Sequence, residues 1–192
     1  MLAGRGDGID LDTPFHWAVE GLKQPGSFFE HLPALLPLDS ILYVEGTHIA
    51  PEVAAFYSSH RARNAVDVAR DTIWPVPDIY HVSFSSDVSS RLRQFAEDVP
   101  VAEMFDHLKA YRGETLLLYF HDAFDNVLRI SAHIPEDIVA QFCRALEVSN
   151  RREEGSTYRD PEVLRKVLLW FEEHPDEGQS WFSRVWRRVT GR

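Results

Sequence analysis

Residues 114–134 read ETLLLYFHDAFDNVLRISAHI, and their alternation decides the fold class. Leu116, Leu118 and Phe120 share one parity with Leu128, Ile130, Ala132 and Ile134, while Tyr119, His121, Arg129, Ser131 and His133 take the other. Successive side chains point to opposite faces of a strand, so the pattern predicts a β-hairpin with one apolar face and one polar face. A slip of one residue would turn every core side chain outward, which constrains the pairing. Phe120 then lies opposite Leu128, Leu118 opposite Ile130, and Tyr119 opposite Arg129. His121 faces Val127, and Thr115 faces His133. The closing loop is 123–125 or a five-residue version, with Asp125 or Asn126 as its left-handed residue.

Working towards the N-terminus, a capping motif at Ser85-Ser86-Asp87 precedes Val88, Leu92, Phe95 and Val99 at helical spacing. Pro100 is read as starting a second helix, with Met104, Phe105 and Leu108 inward and Gly113 as its stop. Residues 41–45 and 79–84 read as strands. Pro51-Glu52 opens a helix between them, with an acid facing the positive end of the dipole. Ser27 and Glu30 fit a capping box, and Pro33 and Pro37 limit the helix that follows. Thr13-Pro14 is read as the start of a short helix through Trp17. Towards the C-terminus, Pro135-Glu136-Asp137 opens a helix and residues 150–159 read as a charged loop. Asp160-Pro161-Glu162 opens another helix, and a last one runs through Trp181.

The order of elements predicts an α+β fold: a mixed or antiparallel sheet of about four strands, helices packed mainly on one face, and additional C-terminal helices. The expected division is a disordered leader at 1–12, an α+β core domain at 13–150, and a helical extension at 151–192 packed on the core.

The composition fits one soluble domain: 192 residues, 44% hydrophobic, with twelve Phe and five Trp to fill a core. A net charge of −10 argues against nucleic acid as the partner. No apolar run reaches the roughly 18 residues of a membrane span, and no apolar stretch follows a basic start, so a cytoplasmic protein is expected. The single cysteine, Cys143, lies among Val139, Phe142 and Leu146 and reads as a buried, inert thiol in a reducing compartment.

The polar face of the hairpin, extended across the neighbouring strands, gathers Tyr43, Glu45, His81, Tyr119, His121, Arg129 and His133. Carboxylate and imidazoles in such a set can ligate a metal, or serve as a general base beside an arginine anion clamp. Tyrosine and arginine can equally form a recognition surface. The plain expectation is a solvated sheet face, as antiparallel sheets commonly have. The histidines come from separate strands, without compact ligand spacing, so no metal and no cofactor is expected. Residues 46–52 join a strand to a helix start but contain one glycine and no lysine, which is not a phosphate loop. A second surface is the basic, aromatic C-terminal stretch with Trp181, Trp186, Arg187 and Arg188. It suits a protein partner or a homodimer better than a membrane. The functional expectation is a non-catalytic binding or regulatory module working through protein–protein contact. The rival is a small hydrolytic or metal-assisted enzyme using the polar hairpin face.

Overall fold

The hairpin of residues 114–134 sits at the centre of a seven-stranded antiparallel sheet in a computed structural model that describes residue 11, residues 13–72 and residues 74–154. The strands are β1 (Phe15–Glu20), β2 (Ile41–Gly46), β3 (Asp78–Ser83), β4 (His107–Arg112), β5 (Thr115–Phe120), β6 (Leu128–Ser131) and β7 (Ser149–Glu154). They lie in the order β3-β2-β4-β5-β6-β1-β7. Four helices accompany them: α1 (Pro25–Leu35), α2 (Pro51–Ser59), α3 (Ser86–Asp98) and α4 (Glu136–Ala145). The fold is α+β, with seven strands in place of about four. The C-terminal helices and their Trp181, Trp186, Arg187 and Arg188 lie outside the described residues. Among the described residues no helix is long and apolar enough to cross a membrane.

The hairpin register is the one its alternation requires: Phe120 pairs with Leu128, Tyr119 with Arg129 and Leu118 with Ile130. The ladder goes no further, because β6 ends at Ser131; Thr115 does not pair with His133. Asp122 and Phe124 take the positive φ values in the turn, not Asp125 or Asn126. A β-bulge corrects one parity assignment. Ala110 pairs with Leu118 and Tyr111 with Leu116, leaving Leu117 as the extra residue. Leu117 therefore joins the main core, and Leu116 turns to the opposite face beside Tyr43, Tyr111 and Tyr119.

Three further elements differ from expectation. Residues 15–20 form β1, because Trp17 and Val19 alternate into the core rather than following a helical stripe. The stretch after Pro100 makes one 3-10 turn (Val101–Glu103) and then β4. There Leu108 and Ala110 face the core and His107, Lys109 and Tyr111 alternate with them. Gly113, with φ +56°, opens a two-residue hairpin turn instead of capping a helix. Lastly, residues 149–154 pair with β1 as β7. This strand has no apolar residue to announce it. Its charges blunt an exposed sheet edge, and Arg151 pairs with Glu20 and Glu153.

All four helices bury their apolar stripes against one face of the sheet. Phe28, Phe29, Leu32 and Leu35 of α1, Val88, Leu92 and Phe95 of α3, and Val139, Phe142 and Cys143 of α4 share one core with Leu42, Leu118, Phe120 and Ile130. Burial raises the Cys143 thiol above its ordinary pKa. Helix α1 starts at Pro25, whose fixed φ suits the first helical position, so Ser27 is inside the helix and not its cap. Pro33 stands within α1 and has no N–H to give the carbonyl of Phe29. The buried Ser89 hydroxyl of α3 donates to that carbonyl at 2.5 Å. One side chain thus satisfies an acceptor that proline orphans and fastens α1 to α3. Ser89→Ala is expected to lower the unfolding free energy by roughly 1–3 kcal/mol. In a Pro33→Ala background, where residue 33 supplies its own N–H, the same change should cost markedly less; urea unfolding of the four proteins checks the difference.

Candidate functional site

The sheet register aligns one row of side chains across five strands on the face away from the helices. His81 of β3 pairs with Tyr43 of β2, Tyr43 with Lys109 of β4, Lys109 with Tyr119 of β5, and Tyr119 with Arg129 of β6. Glu45 lies in the next row, opposite His107. Five of the seven residues singled out from sequence, namely Tyr43, Glu45, His81, Tyr119 and Arg129, thus fall on one surface, and a sixth, His121, stands beside Tyr119 at its edge. Lys109 and His107 complete it.

This face is not a solvated one. Residues 66–72, part of the loop between α2 and β3, lie across it and supply partners for its polar groups. Lys109 is fully buried, with its Nζ 2.6 Å from the Asp71 carboxylate and 2.5 Å from the Ala69 carbonyl. Its ammonium also stands 4.9 Å from the Tyr119 ring centroid and 5.4 Å from that of Tyr43, within cation–π range. Tyr119 donates its hydroxyl to Asp71 at 2.9 Å. Glu45, also fully buried, accepts from the Tyr43 hydroxyl at 2.7 Å and from the backbone N–H groups of Asp71 and Thr72 at 3.1 and 2.5 Å. Burial, reinforced by the negative charge of Glu45, holds the Tyr43 phenol well above its ordinary pKa. A carboxylate with three donors and an ammonium with a carboxylate, a carbonyl and two ring faces meet the condition under which charges persist in a protein interior.

The ends of the covering loop are fixed as well. The Tyr111 hydroxyl accepts from the Val66 N–H and is hydrogen-bonded to His81 Nδ1 at 2.8 Å. Burial, then Arg61, lowers the His81 pKa. At the other end His107 Nδ1 accepts from the Asp122 N–H at 2.9 Å, which leaves its proton on Nε2 to donate to the Thr72 hydroxyl at 3.1 Å. The His121 ring stacks on His107 with centroids 4.4 Å apart and planes within 2°. His133 stands apart from all of this. Exposed beyond β6 and 2.9 Å from the Ser131 hydroxyl, it lines a cleft of about 460 Å³ with Leu35, Leu36, Leu117, Ile134 and Ile138.

Two chemical readings can be tested against this geometry. His107, His121 and Asp122 bring three potential ligand atoms within 4.8 Å of one another. An imidazole binds a metal through a lone pair in its ring plane, and two parallel stacked planes have no point in common. Both nitrogens of His107 are already bonded within the protein. The observed side-chain positions therefore do not suit a metal. The loop of residues 46–52, considered above for an anion, holds one belonging to the protein: Thr47 gives its N–H and its hydroxyl to the Asp106 carboxylate, both at 2.8 Å.

Compared with protein-family models, curated proteins and solved structures, the chain matches none. The residues that sequence reasoning missed are Lys109, His107, Tyr111 and Asp71. The first three carry a period-two signal against Leu108 and Ala110, followed by a Gly-X turn. Asp71 gives no local signal at all, because it lies in a loop.

Removing one member of the buried pair strands the other. Lys109→Met is expected to lower stability by roughly 3–5 kcal/mol, and Lys109→Met/Asp71→Asn, which removes both charges and keeps an acceptor for Tyr119, by clearly less. Denaturant unfolding with a full double-mutant cycle measures the coupling. Elemental analysis of the purified chain is expected to find no stoichiometric zinc or manganese; a metal retained by the protein and lost on His107→Ala would contradict the ring-plane argument.

Proposed function

We propose that the protein is a non-catalytic binding or regulatory module acting through protein–protein contact, with Trp74 and Val76 as its contact residues. The observation that carries this reading is their exposure: 76% each, with the nearby Ile79 at 41%. A scattered apolar residue on a surface is ordinary. A tryptophan, a valine and an isoleucine within six positions are less so. They are also presented on a fixed support, since Asp71 and Thr72 are bonded to Glu45 on one side and β3 begins at Asp78 on the other. Tryptophan is enriched among residues that dominate interface energies. An aromatic side chain of roughly 200 Å² buried at about 25 cal/mol per Å² yields about 5 kcal/mol before ordering costs. A loop held in place beforehand reduces those costs.

The buried network supports the same reading from the other direction. Lys109, Glu45 and His107 are side chains of the polar face that acid–base chemistry could use, and their partners are groups of the protein itself. A small hydrolytic or metal-assisted enzyme would need them to meet a substrate.

The test uses the full chain carrying a photo-crosslinking amino acid at position 76. A discrete product with one partner protein is expected, absent when the probe is placed at the exposed Glu52 of α2. With the partner purified, Trp74→Ala should weaken binding about thirtyfold, the effect of a ~2 kcal/mol hot spot, with no change in thermal midpoint. Equal labelling from positions 76 and 52 would overturn the proposal.

A further inference from the structure

We infer that β3 accepts an additional strand: an extended segment of a partner protein pairs with its outer edge, with an apolar side chain opposite Ile79 and a basic one opposite Asp78. That the segment belongs to a partner protein rests on the contact reading above; the openness of the edge does not. The sheet ends in two edge strands, β3 and β7. An edge presents unpaired N–H and C=O groups, a template for another chain. β7 is blunted by its charges, Arg151 and Glu153 among them. β3 is protected along only half of its length.

The hydrogen bonds show where that protection stops. β3 pairs with β2 without a register shift, and Phe84 N–H bonds the Ser40 carbonyl at 2.9 Å. Even-numbered residues of β3 therefore bond to β2, and odd-numbered ones turn their backbone groups outward. The outer bonds agree: Ser83 N–H reaches the His60 carbonyl at 2.9 Å, and the His81 carbonyl accepts from Ala62 N–H at 2.8 Å, around a bridge between Arg61 and Val82. Residues 60–62 thus cover the C-terminal half. Ile79 is the next outward residue, and among the described residues its N–H and C=O have no hydrogen-bond partner. Its side chain is 41% exposed, Asp78 is exposed beside it, and the chain before them leads to Val76 and Trp74.

Asp78 and Ala62 decide the occupant. Two copies of this chain could pair here antiparallel about a two-fold axis. Centred on Ile79 or Tyr80, such pairing sets a residue of one copy opposite His81 of the other, a place that Ala62 already holds. Centred on Asp78, it sets two aspartates face to face, and like charges directly opposite are destabilising. The edge therefore refuses its own copy. A foreign strand with lysine or arginine opposite Asp78 turns the same charge into an attraction. Ile79 shares the face of Glu45, and an apolar residue opposite it would extend that row. Main-chain bonds to Ile79 hold such a segment, and the two side-chain positions select it.

A random library of displayed peptides, each about ten residues long, supplies the probe for the full chain. Enriched sequences are expected to alternate apolar and polar residues, with Lys or Arg adjacent to an apolar position. With one such peptide at about a hundred times its Kd, NMR should show exchange of the Ile79 amide slowed about a hundredfold and that of Leu118 unchanged. Ile79→Pro removes an N–H that β2 does not use, as a sheet edge tolerates, and should weaken the peptide about tenfold. Asp78→Lys should weaken it about fivefold. The exchange measurement and Asp78→Lys decide the matter even if the proline variant does not fold. Failure to enrich any peptide, unchanged Ile79 exchange, or equal binding to Asp78→Lys would each overturn strand addition. If a protein crosslinked at position 76 is weakened by Trp74→Ala but leaves Ile79 exchange unchanged, the contact reading stands and strand addition falls. If the peptide protects Ile79 while position 76 finds no partner, strand addition stands and the contact reading falls.

Discussion

A lysine with no solvent exposure needs a counter-charge, and the course of the loop between α2 and β3 follows from that need. Lys109 is on a central strand, placed there by the alternation that sends Leu108 and Ala110 into the helix-side core. An isolated ammonium in that position would be driven to neutrality or to water. Asp71 meets it at 2.6 Å, Ala69 adds a carbonyl, and two tyrosine rings close the remaining sides. Bringing Asp71 there also brings its N–H and that of Thr72 onto Glu45, so a second buried charge is satisfied by the backbone of the same four residues. The two charges are interdependent: neither could be buried without the loop, whose Val66 and Val68 add apolar contacts with the same face.

Buried ion pairs seldom add much stability relative to apolar packing of the same shape. What the pair adds here is placement. An apolar underside would let the loop slide by a residue at small cost. A carboxylate that must reach one ammonium, with two N–H groups that must reach one carboxylate, admits a single register. The residues that follow, Trp74 and Val76, are themselves exposed. Pro33 and Ser89 show the same logic on the opposite face, where one missing N–H in α1 is made good by one hydroxyl of α3.

The parts of this architecture legible in the sequence are those governed by local periodicity. The pairing of β5 with β6, the strands β2 and β3, and the starts of α2, α3 and α4 are written in alternation, helical spacing and capping chemistry. β4 was hidden because Met104, Phe105 and Leu108 satisfy a helical stripe as well as a strand, and Pro100 supplied a plausible start. β7 was hidden because an edge strand is defined by what it avoids, and Ser149–Glu154 contains no apolar residue. The bulge at Leu117 reversed one residue that parity alone had assigned to the core. At the site, the row from His81 to Arg129 follows from register, but Lys109 depended on finding β4. Asp71 is joined to it across 38 positions of chain by a contact that no local pattern encodes.

That division explains why the polar face invited a functional reading and why the loop that covers it was not foreseen. Period-two alternation tells which side chains share a face but not what covers it. Antiparallel sheets commonly turn such a face to water. Here the covering element is irregular, so it carries neither a 3.6-residue nor a two-residue signal, and its bonds are made one group at a time. An irregular element held this way is also the one most open to control. The helix-side core changes little when one proton is added, because none of its contacts depends on charge. The loop is held by polar and charged groups one bond at a time, which is why the exposed tryptophan beside it is the natural place to look for function.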